Sequence, residues 1–530
     1  MFGIAPSEQT TKPATMPAPT SGINSISNLY GMEPRDCILS INIDATTYGL
    51  KVRPGYAEYA NGFLGAGIQT ILPFSGSMDD GSEDRLFAAN NDGIYDISAS
   101  TMAPVKEVDW LNKTTPAGRM SYTQFTNDGG AHILLAADEE NGLVAYEEST
   151  GLWTIPAIVG PAGGATDIAF VMSWKNRIWY IEKNSTSAWY SDVGTFAGTL
   201  TEFNFGSRFR YGGGLAILAD WTLDSGEGPD DYLVAVSTGG DVVVYAGTDP
   251  SSSSTFGIIG LWFVGAMPFG RRISSLFGGD LLLLSTYGLI SMTALLQGKD
   301  PFSLESSLSW KIQAFINQQM TRTRGDFGWE IKLHPSLSRL VISTPKELSQ
   351  PDIQYVYELN LKAWSIWYDV PVLTSEQYQS EFYFGSSSIS VWRVEGTIDN
   401  VELTSPNPLQ IEWQLLTSYQ DLDLPEQFKR MQFLRPIFLA QAVPSYTVRA
   451  YYDYDLTELP SPPNASAFGV GVWDTGLWDT AVWGGGAVNV QPPRGAWGIG
   501  KTCAVSLRGK SQVETTLIAI GLMWDDGGLL

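Results

Sequence analysis

Two kinds of residue in this chain have types and spacings that could do chemistry. Carboxylates stand at i, i+2 in YYDYD (Asp453, Asp455), and in DLDLPE (Asp421, Asp423, with Glu426 close behind). Neighbours at that spacing share one face of a strand. A glycosidase needs two such groups facing each other about 5 to 9 Å apart. The second kind is tryptophan: GVWDTGLWDTAVWGGG, residues 471 to 486, places Trp473, Trp478 and Trp483 every fifth position. Five fits neither regular period, because on a helix each step turns the side chain about 140° away and on a strand it flips the face. These tryptophans therefore form no single stripe. They are read as successive turns whose rings stack on sugar, anchor a neighbouring chain or fill the chain's own core.

The remaining catalytic signatures do not assemble. The two histidines, His132 and His334, have no metal spacing, and no G-x-S-x-G elbow, P-loop or Cys-x-x-Cys pair occurs. The Ser-x-Asp-x-Gly turn of sialidase-type propellers does not recur along the chain. The acidic pairs read as a solvated edge, and the expectation is a protein that is not an enzyme, with no cofactor and no metal. Trp473, Trp478 and Trp483 remain as candidate assembly contacts.

The elements that would have to position these residues are β-strands. The chain has 530 residues, is rich in Gly, Trp, Tyr and Phe, and only 17% of it is charged. Such a mix suits aromatic-filled sheets joined by tight turns. From residue 80 onward a unit recurs in which two short apolar runs are divided by a polar turn. Examples are RLFAANNDGIYDIS (85 to 98), HILLAADEENGLVAYEE (132 to 148), RIWYIEKNSTSAWYSD (177 to 192) and YLVAVSTGGDVVVYAG (232 to 247). DLLLLSTYGLISMTA, RLVISTPKELSQPDIQYVYELN and EFYFGSSSISVWRVEG continue the series.

Taking Leu86, Ile133, Ile178, Leu233, Leu281, Leu340 and Phe382 as equivalent gives steps of 47, 45, 55, 48, 59 and 42 residues. Hairpins at such a period predict a β-propeller of six or seven blades, each pair of runs supplying the two central strands of a blade. TGLWTIP and KAWSIWYDV would be outer strands. ESSLSWKIQAFINQQM (305 to 320), with Leu308, Ile312 and Ile316 at helical spacing, predicts a helix inserted on the rim.

The expected organisation is all-β: an extended arm over 1–25, a propeller over 26–396, and a β-sandwich-like domain over 397–530 that contains the tryptophan repeat.

Charge narrows the partners. Acidic residues number 56 against 32 basic ones, a formal net charge of -24. Gripping nucleic acid needs clustered positive charge, and no Lys/Arg-rich block occurs; an acidic wall would instead let DNA slide past. Two cysteines, Cys37 and Cys503, argue against a disulfide framework. No signal peptide or membrane span is expected, because GDLLLLSTYGLISMTALL is interrupted by Ser285, Thr286 and Gly288.

The N-terminal stretch PAPTSGINSISNLYGMEPRDCILSINIDATTYGLKVRPGYAEYANGF carries a further signal. Its order is a Pro-rich lead, Met32, Pro34 and Asp36 in Met-x-Pro-x-Asp, then Asn42 in LSINID, then Leu50 to Tyr56 as L-K-V-R-P-G-Y. In this order, and in the ending SLRGKSQVETTLIAIGLMWDDGG, the chain resembles the tail hub or nozzle proteins of short-tailed bacteriophages, also called packaged-DNA stabilisation proteins. The resemblance implies a virion tail protein assembled in the host cytoplasm. It also implies a self-associating six-fold ring beneath the portal and its adaptor protein, continuing the DNA channel. A tail needle or plug below and tailspikes or fibres at the side would be its further partners. The competing class is a carbohydrate-binding or carbohydrate-degrading propeller.

Overall fold

The structure is a computed structural model that describes residues 11–110, 117–224, 229–303, 306–347, 350–404, 407–440, 442, 444–464, 488–490 and 492–526. Trp473, Trp478 and Trp483 lie outside the described residues. The chain divides into two compact units, one of residues 58–354 with 369–394, the other of 1–57, 355–368 and 395–530.

The larger unit is a six-bladed β-propeller. Five four-stranded sheets and one three-stranded sheet follow one another along the chain. Their innermost strands are Thr70–Phe74, Ser121–Thr126, Ile168–Trp174, Leu215–Asp224, Ser274–Phe277 and Val372–Tyr378. All seven hairpins read from the sequence are strand pairs; Arg85–Ala89 with Gly93–Asp96 is the first. Six belong to the small sheets. The seventh begins with Arg339–Ser343, whose partner Glu330–His334 lies beside both Ser274–Phe277 and Val372–Tyr378, between the fifth and sixth sheets. The strand Tyr56–Ala60 supplies the outermost strand of the last sheet, so an early piece of chain closes the ring of blades.

A recurring polar contact explains the Asn/Asp-rich turns. In the first blade, Asn90 donates to the carbonyls of Leu64 and Ala66, 2.7 and 3.0 Å away, in the loop that enters the blade. In the second, Asp138 accepts from the Gly118 N–H at 2.7 Å while its other oxygen closes its own turn. In the fourth, Asp241 accepts from the Tyr211 N–H, again at 2.7 Å. Each turn side chain satisfies backbone groups that the incoming loop would otherwise bury unpaired.

Between blades the core is apolar: Leu72, Phe74, Phe87 and Met120 meet Leu134 and Tyr146, and Ile133, Leu135 and Leu143 meet Val171, Ile178 and Tyr180.

The helix begins later than its periodicity suggests. A 3-10 turn at Trp310–Ile312 leads into the α-helix Gln313–Thr323, which buries Ile316 and Met320. Leu308 is not on it, because its N–H donates to the Leu289 carbonyl at 2.8 Å and extends the edge of the fifth sheet.

The second unit is a pair of sheets. In one, Lys429–Ala440 and Thr515–Asp526 form a long antiparallel pair flanked by Ile43–Thr46 and Gly49–Val52. In the other, Ala363–Tyr368, Cys37–Ile41, Ile411–Thr417, Cys503–Ser511 and Ser445–Tyr452 run side by side in that order. Trp413 of the second sheet and Phe438 of the first are fully buried with ring centroids 6.0 Å apart, which places the core between the sheets. Gly509 is required there: an added Cβ would lie 2.1 Å from the Trp413 ring.

Three domain boundaries differ from the sequence expectation. Residues 26–57 and 355–368 cluster with the C-terminal unit rather than with the propeller. AWSIWY pairs in parallel with Cys37–Ile41, Ile41 opposite Ile366, so it is no outer blade strand. Within the expected arm, Lys12–Pro17 is a sheet strand paired with Thr515–Asp526. Alternation marks a strand but does not say which sheet it joins.

Candidate functional site

The innermost propeller strands enclose a cavity of about 420 Å³. Its wall carries charged side chains that alternate along Glu330–His334, EIKLH, since a period of two places Glu330, Lys332 and His334 on one face. Facing them are Ser375 and Glu376, and Arg272 arrives from the loop before Ser274.

Two polar clusters fill this region. In the first, Glu330 sits between two guanidiniums, its Oε2 2.6 Å from Arg272 Nη1 and 3.3 Å from Arg119 Nη2. Its Oε1 accepts from the Ser375 N–H at 2.9 Å. Arg272 also donates to the Met120 and Gln69 carbonyls and to Thr374 Oγ1, and Arg119 donates to the Leu373 and Gly328 carbonyls. Burial pushes the Arg119 pKa down to about 10, helped by Arg272 and opposed by Glu330. For Glu330, burial opposes ionisation, but Arg272 and Arg119 outweigh it and hold the carboxyl below its usual range.

In the second cluster, Lys332 Nζ lies 2.5 Å from Glu376 Oε2 and 3.2 Å from the Tyr122 hydroxyl; that hydroxyl also donates to Glu376. Burial works against the Lys332 charge, yet the Glu376 carboxylate and Tyr122 raise its pKa. The Lys332 side chain keeps 30% of its surface, and that residue lines the cavity. Ammonium, carboxylate and phenol are therefore committed to one another, an arrangement that braces strands and offers no free base or nucleophile.

His334 stands next along the same strand face, fully buried. Its Nε2 lies 3.2 Å from Ser375 Oγ, its ring packs 3.9 Å from Phe382, and its Nδ1 has no hydrogen-bond partner among the described residues. Burial, with Lys332 nearby, lowers its pKa from 6.5 to about 3. A depressed folded pKa means that the unfolded chain takes up the proton first, so the stability from neutral His334 is complete above pH 6.5 and falls between 6.5 and about 3. Replacing it by Gln, which cannot charge, should leave stability near pH 7.5 little changed. At pH 5 the variant should be more stable than the parent by about 2 kcal/mol. Chemical denaturation at both pH values checks this, and parallel pH profiles for the two proteins would contradict it.

The acidic residues singled out in the sequence are taken up by backbone bonds and an ion pair. Asp453 Oδ1 accepts from the N–H groups of Lys501 and Thr502 at 2.8 and 3.1 Å, and Asp455 Oδ1 accepts from the Thr457 N–H at 3.0 Å. Asp421 caps its own turn at Asp423, and Glu426 pairs with Lys501 at 2.5 Å. His132 opens the strand His132–Asp138. Cys37 and Cys503 are both buried and no disulfide joins them, and burial pushes the Cys503 thiol up to about 12. Among the described residues, no three His, Cys, Asp or Glu side chains come together in a way that could hold a metal ion. No described helix is long and apolar enough to cross a membrane.

Sequence reasoning missed Arg119, Arg272, Glu330, Lys332 and Glu376. The available signal was EIKLH itself, a short strand whose alternate positions are polar or charged and three of whose five residues are buried all the same.

A second groove, of about 470 Å³, lies at one mouth of the propeller, bounded by Glu139, Asn184, Thr238, Phe269, Arg324 and Phe327 among others. Arg271 is shared by both cavities, donating to Glu139 Oε1 at 2.5 Å and to the Leu215 and Ala216 carbonyls.

Comparison with protein-family profiles and with curated proteins gives no significant match. Among solved structures the chain is similar to the extracellular domain of BT3049 from B. thetaiotaomicron, with 12% identity and a TM-score of 0.41, covering 81% of this chain and 56% of that one. It is also similar to YCF48 bound to D1 peptide (10% identity, TM-score 0.35, 66% of this chain and 99% of that one). A third is the β-propeller domain of Cps50 (Swd1) from Myceliophteria thermophila (10% identity, TM-score 0.36, 63% and 98%). The assignment of the propeller rests on its own sheets.

Proposed function

We propose that this chain is a non-enzymatic structural protein of a virion tail, a nozzle that self-associates into a six-fold ring and extends the portal and adaptor channel. In this reading it helps retain packaged DNA, lets the DNA slide out past acidic walls, and connects to a needle or plug and to tailspikes or fibres.

The observation that carries the reading concerns the residues of the nozzle-like stretch. Asn42 and Arg53 form a buried polar lock with Asp399, Arg53 Nη1 lying 2.8 Å from Asp399 Oδ1 and Arg53 Nε 3.0 Å from Asn42 Oδ1. Asp36 is likewise buried and bonded to Asn24 at 2.6 Å. The likeness therefore lies in residues that build the body of the unit, as a likeness between scaffolds should. The mutually paired ions of the axial cavity suit the same role.

Light scattering and negative-stain imaging of the purified protein, alone and with a portal adaptor, test the proposal. Closed rings are expected; single particles under both conditions would end it.

A further inference from the structure

The axial cavity and the groove at the propeller mouth differ in one respect that bears on binding. In the axial cavity the charged groups are bonded to each other. Around the groove, the side chains of Asn184, Thr238 and Arg324 line the opening and make no hydrogen bond among the described residues. Glu139 uses one carboxylate oxygen for Arg271, and its other oxygen has no such bond. An amide, a hydroxyl, a guanidinium and half a carboxylate thus stand open to solvent around one opening.

Two rings line the same opening, and a series of four more runs on from the loop beside it as a flank. Phe269, 53% exposed, meets Phe327 edge-on at 5.3 Å. The loop that carries Met267 to Gly270 starts against Tyr287, since a Cβ on Gly265 would lie 2.3 Å from that ring. Tyr287 packs on Phe302 at 4.7 Å, Phe302 lies 6.4 Å from Phe263, and Phe263 lies 4.1 Å from Tyr211. Tyr211 and Phe302 keep 64% and 56% of their surface. Solvated rings in such number beside a groove mark a recognition surface.

We propose that this groove binds a short oligosaccharide, with the aromatic flank receiving the sugars that run beyond it. A guanidinium that donates, a carboxylate that accepts and an amide that does both together match vicinal hydroxyls, while exposed ring faces match the C–H faces of sugar rings. A nucleic acid fits less well, because the chain carries a net charge of -24 and would repel phosphates. The proposal does not depend on the ring reading, since the groove belongs to a single propeller.

A glycan array followed by saturation-transfer NMR on the full chain tests it, with a proline-rich peptide as the competing probe. At least one oligosaccharide should bind and receive saturation at its ring C–H protons. Phe269→Ala should weaken that binding about tenfold, as truncation of an aromatic anchor does, with an unchanged melting temperature. Thr238→Val, which removes only a hydroxyl, provides a second variant should Phe269→Ala prove unstable. No saccharide bound, saccharide binding unaffected by the variant that folds, or selective binding of the peptide would each overturn the assignment.

Discussion

Replacing Glu330 by Gln should destabilise the propeller by about 3 to 5 kcal/mol, the usual cost of leaving a buried charge without its partner. The substitution keeps shape and removes only the negative charge. Arg272 and Arg119, 2.6 and 3.3 Å from that carboxylate, would then face each other without it. Arg119 and Glu330 side chains are each 3% exposed, so water cannot compensate, and a guanidinium does not readily shed its proton. Because two cations share one anion, the double variant Glu330→Gln with Arg119→Met should recover part of the loss, and a double-mutant cycle measures how much.

The pH dependence has a fixed sign. The Glu330 carboxyl is held below its ordinary 4.5, so its contribution is complete above that pH and disappears as pH falls through the folded value. Parent and variant should converge only in acid. Denaturant midpoints at pH 7 and pH 4 provide the measurement, and a difference below about 1 kcal/mol at pH 7 would refute the role given to the triad.

Hairpins were legible because each is a local event. In RLFAANNDGIYDIS the apolar runs, the Asn-Asp-Gly turn and the partner strand all lie within 14 residues. The strands around the axial cavity were harder to read. SSLF and EIKLH are short or half charged, and their character depends on a cavity lined by residues from five of the blades and from EIKLH itself. Glu330 and Arg119 meet across 211 residues, and neither sits in a recognisable motif. Composition carried the β class and the absence of clustered positive charge, but the pairing of charges requires the closed ring. The same limit explains AWSIWY, which reads correctly as a strand while its partner at Ile41 lies more than 300 residues away. Conversely, Asp453 and Asp455 share the i, i+2 spacing that read as a solvated edge, and backbone N–H groups take up both, those of Lys501 and Thr502 for Asp453 and that of Thr457 for Asp455.

Arg53→Ala should cost the second unit a comparable amount, about 3 to 5 kcal/mol, and Arg53→Lys should fail to restore it fully. The Arg53 side chain is 2% exposed and that of Asp399 9%, and both guanidinium ends are used: Nη1 and Nη2 bind the two Asp399 oxygens at 2.8 and 2.6 Å. Its Nε supports Asn42 at 3.0 Å. Asn42 has φ of 56°, in the left-handed region, which is unfavourable for a residue with a Cβ unless side-chain bonds hold it. Those bonds are present, since Asn42 Nδ2 donates to the Glu412 and Tyr368 carbonyls and its Oδ1 accepts from the Tyr368 N–H. Asn42 thus ties the strand Cys37–Ile41 to both of its neighbours, and Arg53 holds Asn42. A lysine has the charge but neither the fork nor the Nε, so it can pair with Asp399 or support Asn42, not both. Hydrogen exchange should register this as faster exchange across 37–46 in Arg53→Lys than in the parent, alongside a lower melting temperature. Equal protection in the two proteins would show that Asn42 keeps its conformation unaided, and the lock would then reduce to a single ion pair.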